Sequence, residues 1–158
     1  MLELLDRNLK VAFGLSTGLE YTPGLYADSS ELLALAETVG RNNRVIMSHM
    51  RNEDDDQIEA SMAELIDQGE YAPVHIAHMK SVYGKGAARA EELLDLMAQA
   101  RSRGFQITAD VYPYNESYTG IGILFPAWAK TQEQFDQALD LRREELAEHL
   151  RNRVNLRN

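Results

Sequence analysis

The sequence predicts an α/β fold built on a parallel sheet, and three observations carry that reading. Short apolar runs recur at intervals of about 30 residues. A helical stretch closed by a glycine follows each run, which is the rhythm of βαβ units with right-handed crossovers. The apolar runs are continuous rather than alternating, as expected of strands covered on both faces. Four such units make half of a (β/α)8 barrel or most of a small doubly wound sheet, and periodicity alone does not separate the two.

In chain order, Leu2, Leu5 and Leu9 have helical spacing, and a short apolar run from Val11 to Thr17 reads as a strand. Pro23 and Gly24 mark a loop. Asp28, with Glu31 three residues on, is a capping-box start for a helix to Val39, capped by Gly40. Arg44 to Ser48 is the second strand, Glu53 to Gln68 a helix and Val74 to Ala77 the third strand. Gly84 and Gly86 precede a helix over 87–102. Phe105 to Val111 is the fourth strand. An irregular aromatic stretch leads to Thr131, which caps a last helix with Gln134 as its box partner and runs to about Arg153. Phe135, Leu139, Leu146 and Leu150 give that helix an amphipathic face. Residues 1–129 thus read as the sheet-bearing domain and 130–158 as an amphipathic helical segment.

The chain has 158 residues, 44% of them hydrophobic, enough for a domain with a core. A formal charge of −9 argues against nucleic acid or an anionic membrane as partner. There is no cysteine, hence no disulfide and no thiolate ligand within these residues. No membrane-span-length apolar run and no signal-peptide pattern occur, so a cytoplasmic location is the default expectation. Both ends abut helices, and the chain reads as a piece of something longer.

Functional residues of a parallel sheet gather where strands end. Two strands end in histidine followed two residues later by a cation: Ser48-His49-Met50-Arg51 and Ala77-His78-Met79-Lys80. Neighbouring strands lie about 5 Å apart, so both imidazoles can reach one zinc, with Zn–N bonds near 2 Å. The competing reading is ordinary polar residues at a sheet's wet end. His75 falls on the opposite face from His78 and packs under a helix; His149 lies in a charged helix and is solvated. The acidic run ending at Asp56 reads as a solvated helix start. Gly14-Leu15-Ser16-Thr17-Gly18 matches a nucleophile elbow literally, but that motif needs a helix at once, and Thr22-Pro23-Gly24 forbids one. Gly84-Lys85-Gly86 lacks phosphate-loop spacing and reads as a turn.

Four segments together resemble consecutive motifs of the D-aminoacylases, the N-acyl-D-amino-acid deacylases of the amidohydrolase superfamily: Phe13-Gly14-Leu15-Ser16-Thr17-Gly18-Leu19-Glu20-Tyr21, Ser48-His49-Met50-Arg51-Asn52-Glu53, His75-Ile76-Ala77-His78-Met79-Lys80 and Ala109-Asp110-Val111-Tyr112-Pro113-Tyr114. The resemblance runs from about Leu5 to Trp128 and implies a partial (β/α)8 metal-dependent hydrolase barrel of about four parallel strands with covering helices. It implies that His49 and His78 are zinc ligands. Tyr21, Arg51, Lys80, Tyr112 and Ser117 would line the pocket for an N-acyl-D-amino acid, with Arg51 and Lys80 as partners of its carboxylate. It implies that residues after Tyr112 lead into an inserted lid segment. The family's HxH pair, bridging cysteine and last-strand aspartate have no counterpart here. Weak metal binding and no hydrolysis by the chain alone are therefore expected. A half-barrel with open strand edges near Val11–Thr17 and Phe105–Val111 is expected to self-associate.

Overall fold

A computed structural model describes residues 1–114, 116 and 118–156. They form two compact units, Met1–Pro113 and Tyr114–Asn158. The second unit begins ahead of the boundary at 129–130 that the sequence suggests.

The first unit alternates helix and strand: α1 (Leu2–Asn8), β1 (Gly14–Gly18), α2 (Ser29–Arg41), β2 (Val45–His49), α3 (Ile58–Gln68), β3 (Val74–Ile76), α4 (Ala87–Ser102) and β4 (Ile107–Ala109). The strands are all parallel and lie side by side in sequence order. A doubly wound sheet reverses its order at a switch point and takes helices on both faces. Here the order never reverses, and only one face is buried. Ile46, Ser48, Val74, Ile76 and Ile107 point into a core completed by Leu32, Ala36 and Val39 of α2, Met62, Leu65 and Ile66 of α3, and Leu93, Met97 and Ala100 of α4. That progression is the wall of a barrel.

The expectation of strands covered on both faces is corrected on this point. Ser16, Met47, His75 and Thr108 are register partners in one row across the sheet, and they sit on the open face. Met47 is 41% exposed, and His75 lies beside it rather than under a helix. Met47, the apolar member of this row, made the β2 run look continuous although it is exposed.

Helix starts follow the sequence where a side chain caps them. Asp28 accepts the Glu31 N–H at 2.9 Å. Helix ends follow less closely. α2 continues through Gly40 to Arg41, and Asn43 takes the left-handed conformation at φ 52°. Gly40 is there for proximity: a Cβ would lie 1.9 Å from the Tyr71 carbonyl oxygen. α3 starts at Ile58, five residues later than the acidic run suggested. Of that run only Asp56 is exposed. Asp55 accepts from Ser81 Oγ at 2.6 Å and Arg89 Nε at 2.7 Å, tying the loop after β2 to the loop after β3 and to α4. These bonds, that from Ser81 first, hold its carboxyl below the usual carboxylate range.

The second unit has two 3-10 turns, Ile121–Leu124 and Ala127–Ala129, then α5 (Gln132–Leu141) and α6 (Arg143–Leu156). Thr131 and Gln134 form the expected capping box. The predicted single last helix is broken at Arg142, whose backbone leaves the helical region. The break lets Phe135, Ala138, Leu146 and Leu150 close on Phe125, Trp128 and Ala129 as a small core, with the Arg142 guanidinium 3.7 Å over the Trp128 ring.

Two outcomes test this fold. Gly→Ala inside a helix ordinarily stabilises by about 1 kcal/mol. Gly40→Ala is expected to do the reverse, destabilising by roughly 1–3 kcal/mol through overpacking against Tyr71. A raised urea midpoint would contradict the packing. Asp55 has a folded pKa below its unfolded value, so its contribution is present above that unfolded value, about pH 4, and fades as pH falls through the folded one. The stability gap between the parent chain and Asp55→Asn, read by urea unfolding at pH 7 and pH 3, is expected to shrink at the lower pH; an unchanged gap would count against the Asp55 links.

Candidate metal centre

The parallel register delivers the site. Gly18 pairs with His49 at the ends of β1 and β2. β3 stops at Ile76, and Ala77 extends its line by donating to the Ser48 carbonyl at 2.9 Å. His78 follows with φ 41°, a left-handed conformation that turns the chain at the strand end. His49 is buried and His78 half-buried.

The two imidazoles meet. His49 Nδ1 lies 2.8 Å from His78 Nε2, with ring centroids 4.5 Å apart. Each outer nitrogen faces a carboxylate: His49 Nε2 is 2.8 Å from Glu20 Oε2, and His78 Nδ1 is 3.1 Å from Glu53 Oε1. A carboxylate accepts and cannot donate, so each favours a hydrogen on the ring nitrogen it faces. The inner nitrogens, His49 Nδ1 and His78 Nε2, then face each other across the place where one cation would sit between two nitrogen donors.

Glu53 is buried, and it belongs with His49 and His78 in a group whose candidate ligand atoms lie within 4.8 Å of one another. Its second oxygen takes the Lys80 ammonium at 2.5 Å. Both Glu53 oxygens are thus engaged, one on the imidazole and one on the lysine. In a carboxylate–histidine–metal arrangement a carboxylate so placed orients the ring behind its ligating nitrogen. The donor chemistry fits zinc, which takes imidazole nitrogen readily.

Around the pair stand aromatic rings and one cation. The Tyr21 ring is 4.8 Å from His49, the Tyr112 ring 6.4 Å from His78, and Lys80 Nζ is 5.5 Å from the Tyr112 ring centre. Five of the residues singled out from sequence, Tyr21, His49, His78, Lys80 and Tyr112, are therefore gathered here. Arg51 is engaged elsewhere. Its Nε and Nη2 hold the Glu64 carboxylate at 2.9 Å, and Nη1 and Nη2 donate to the Leu25 and Ala27 carbonyls at 2.8 Å. It clamps the loop that carries Glu20 and Tyr21 onto α3. Ser117 lies outside the described residues.

Glu20 and Glu53 were hidden in the sequence for different reasons. Glu20 carried no pattern, and Glu53 merged with an acidic run. The usable signal was the histidines themselves, because a ligating imidazole needs an acceptor on its far nitrogen. Ser16 sits within β1 and no helix follows β1 directly, which agrees with setting the elbow aside.

Comparison with known proteins gives the arrangement a family. No family model matches the chain. It is similar to an N-acyl-D-glutamate deacylase of Alcaligenes xylosoxydans xylosoxydans, 34% identical over 83% of this chain and 25% of that protein. An N-acyl-D-aspartate deacylase of the same organism is 30% identical over 75% of this chain and 24% of its own length. The chain spans about a quarter of the length of these relatives. Among solved structures, N-acyl-D-glutamate deacylase from Bordetella bronchiseptica, complexed with zinc and a phosphonate mimic of the tetrahedral intermediate, superposes with a TM-score of 0.67 at 32% identity, over 72% of this chain and 24% of that one. A D-aminoacylase gives 0.65 at 29% identity over the same shares. Sequence and fold together place the chain in the D-aminoacylase family of N-acyl-D-amino-acid deacylases, within the amidohydrolase superfamily, as a four-stranded part of a (β/α)8 barrel.

Proposed function

We propose that this chain is the part of a zinc-dependent N-acyl-D-amino-acid deacylase that supplies two metal ligands and the substrate-facing residues around them. The reaction is hydrolysis of the amide to a carboxylate and a D-amino acid. The observation that carries the reading is the His49 Nδ1 to His78 Nε2 contact, with an orienting carboxylate behind each ring.

A zinc held by His49 and His78 would polarise the amide carbonyl and ready a water for attack. The chain's own groups do the rest. Glu20 and Glu53 fix which ring nitrogen is presented. Lys80, half-buried beside Tyr112 and paired with Glu53, is the cation this reading assigns to the amino-acid carboxylate, and Tyr21 and Tyr112 wall the site. A charged contact, a wall and the reacting centre are three points, which suffices to discriminate enantiomers. Ser117 is assigned to substrate binding on the resemblance alone. Arg51 is better placed to hold the Glu20–Tyr21 loop than to meet substrate. Catalytic zinc sites use three protein ligands, and the chain has no cysteine and no HxH pair. Hydrolysis therefore requires groups beyond these residues.

The sheet's outer strands are β1 and β4, and Val11, Phe13 and Val111 beside them are 90%, 93% and 73% exposed. Such edges and side chains favour pairing with another chain, so the isolated chain self-associates in this reading. Among the described residues no helix is long and apolar enough to cross a membrane, and a cytoplasmic setting is the location proposed.

The expected outcome is that zinc stabilises the chain through these two histidines. At free zinc 100 times Kd the unfolding free energy rises by about 2.7 kcal/mol. His49→Ala and His78→Ala lose that rise. A zinc-induced shift of equal size in both variants would overturn the site. In light scattering at micromolar concentration the chain is expected to exceed monomer mass; a clean monomer counts against the edge reading.

A further inference from the structure

His78 carries a conformational burden that its metal role does not explain. A non-glycine residue at positive φ, as His78 is, is strained and persists only where its surroundings hold it. What holds it is Asp110, one residue beyond β4. Asp110 Oδ1 accepts the His78 backbone N–H. Its backbone carbonyl accepts from Met79 N at 2.8 Å, and its own N–H donates to Ile76 O at 3.2 Å. The residues just before and just after the turn are thus bonded to one aspartate.

Asp110 is itself held. Oδ2 lies 3.0 Å from His75 Nε2, and His75 Nδ1 lies 2.8 Å from Thr108 Oγ1. Thr108 and Asp110 are two apart on one face of the β4 line, and His75 is the register partner of Thr108. The imidazole therefore spans the two. A carboxylate at Oδ2 requires His75 Nε2–H, which leaves Nδ1 to accept the threonine hydroxyl. The chain of bonds runs Thr108, His75, Asp110, His78 backbone.

We infer that Asp110, oriented by His75, is the positioning residue that fixes the left-handed turn of His78 and so aims its Nε2 at His49. The inference rests on the metal reading only for what that nitrogen is aimed to bind; the backbone device stands on the geometry alone. Neither residue touches the inner nitrogens. Asp110 acts through the backbone of His78, while Glu53 acts on its ring.

Amide hydrogen exchange in the metal-free chain, followed by zinc titration, tests this. Asp110→Ala is expected to speed exchange at His78 roughly tenfold or more while leaving Ile46, bonded to Pro73 O in the sheet, at its parent rate. Asp110→Asn keeps an oxygen for the His78 N–H and is expected to restore protection. His75→Phe, which removes the partner of Oδ2, falls between. Zinc affinity is expected to drop about 10–100-fold in Asp110→Ala and to recover in Asp110→Asn, the range seen for groups behind a metal ligand. Unchanged His78 exchange in Asp110→Ala overturns the inference, as does equal acceleration at His78 and Ile46. If the parent takes up no zinc while His78 exchange responds as stated, the positioning device is supported and the metal reading fails.

Discussion

The contact on which this structure turns is the 2.8 Å approach of two imidazoles, His49 and His78, at the ends of adjacent parallel strands. Nothing in a sheet's own energetics asks for it. Two nitrogen acceptors at that distance repel unless a cation, even a proton, lies between them. The rest of the neighbourhood makes such a cation welcome. Glu20 and Glu53 place negative charge behind the rings, and Lys80 neutralises the second oxygen of Glu53. Carboxylates held in this way do not compete for the inner position; they decide which nitrogen faces it.

The barrel wall supplies the precision. Parallel register sets the height of each strand end, and the helices on the outer face lock the strands through a core of Ile46, Val74, Ile76 and Ile107 against α2, α3 and α4. Loops then add the second layer. Arg51 binds the loop bearing Glu20 and Tyr21 to Glu64 of α3, and Asp55 with Arg89 ties the loop bearing Glu53 to α4. In each case a cation that looked available for substrate, or an acid that looked solvated, is spent on a loop. Sites placed on loops need such fastening, because loops alone are too mobile to hold ligands within a fraction of an ångström.

The sequence carried the strands, the side-chain-capped helix starts and the two histidines, because each has a local signature: apolar runs, capping residues, and a polar residue where a run stops. Thr131 with Gln134 and Asp28 with Glu31 were readable for that reason. The register was not readable, since pairing depends on contacts across about 30 residues of intervening chain. Gly40 looked like a helix end because glycine usually is one there; its real cause, the Tyr71 carbonyl, lies on another element. The break at Arg142 had no breaker residue to announce it. His75 was placed under a helix by parity with His78, and parity fails because His78 sits past the strand, in a turn. The choice between barrel and doubly wound sheet was decided by strand order, which periodicity does not contain.

Nitrogen-15 NMR of the histidine side chains, without zinc and with it, tests the central claim most directly. The arrangement predicts that zinc moves the Nδ1 signal of His49 and the Nε2 signal of His78, while His49 Nε2 and His78 Nδ1 keep their hydrogens against Glu20 and Glu53. His75, engaged with Asp110 and Thr108, is predicted to keep its tautomer throughout. Zinc appearing on the outer nitrogens, or on His75 or His149 in place of the facing pair, would contradict the account.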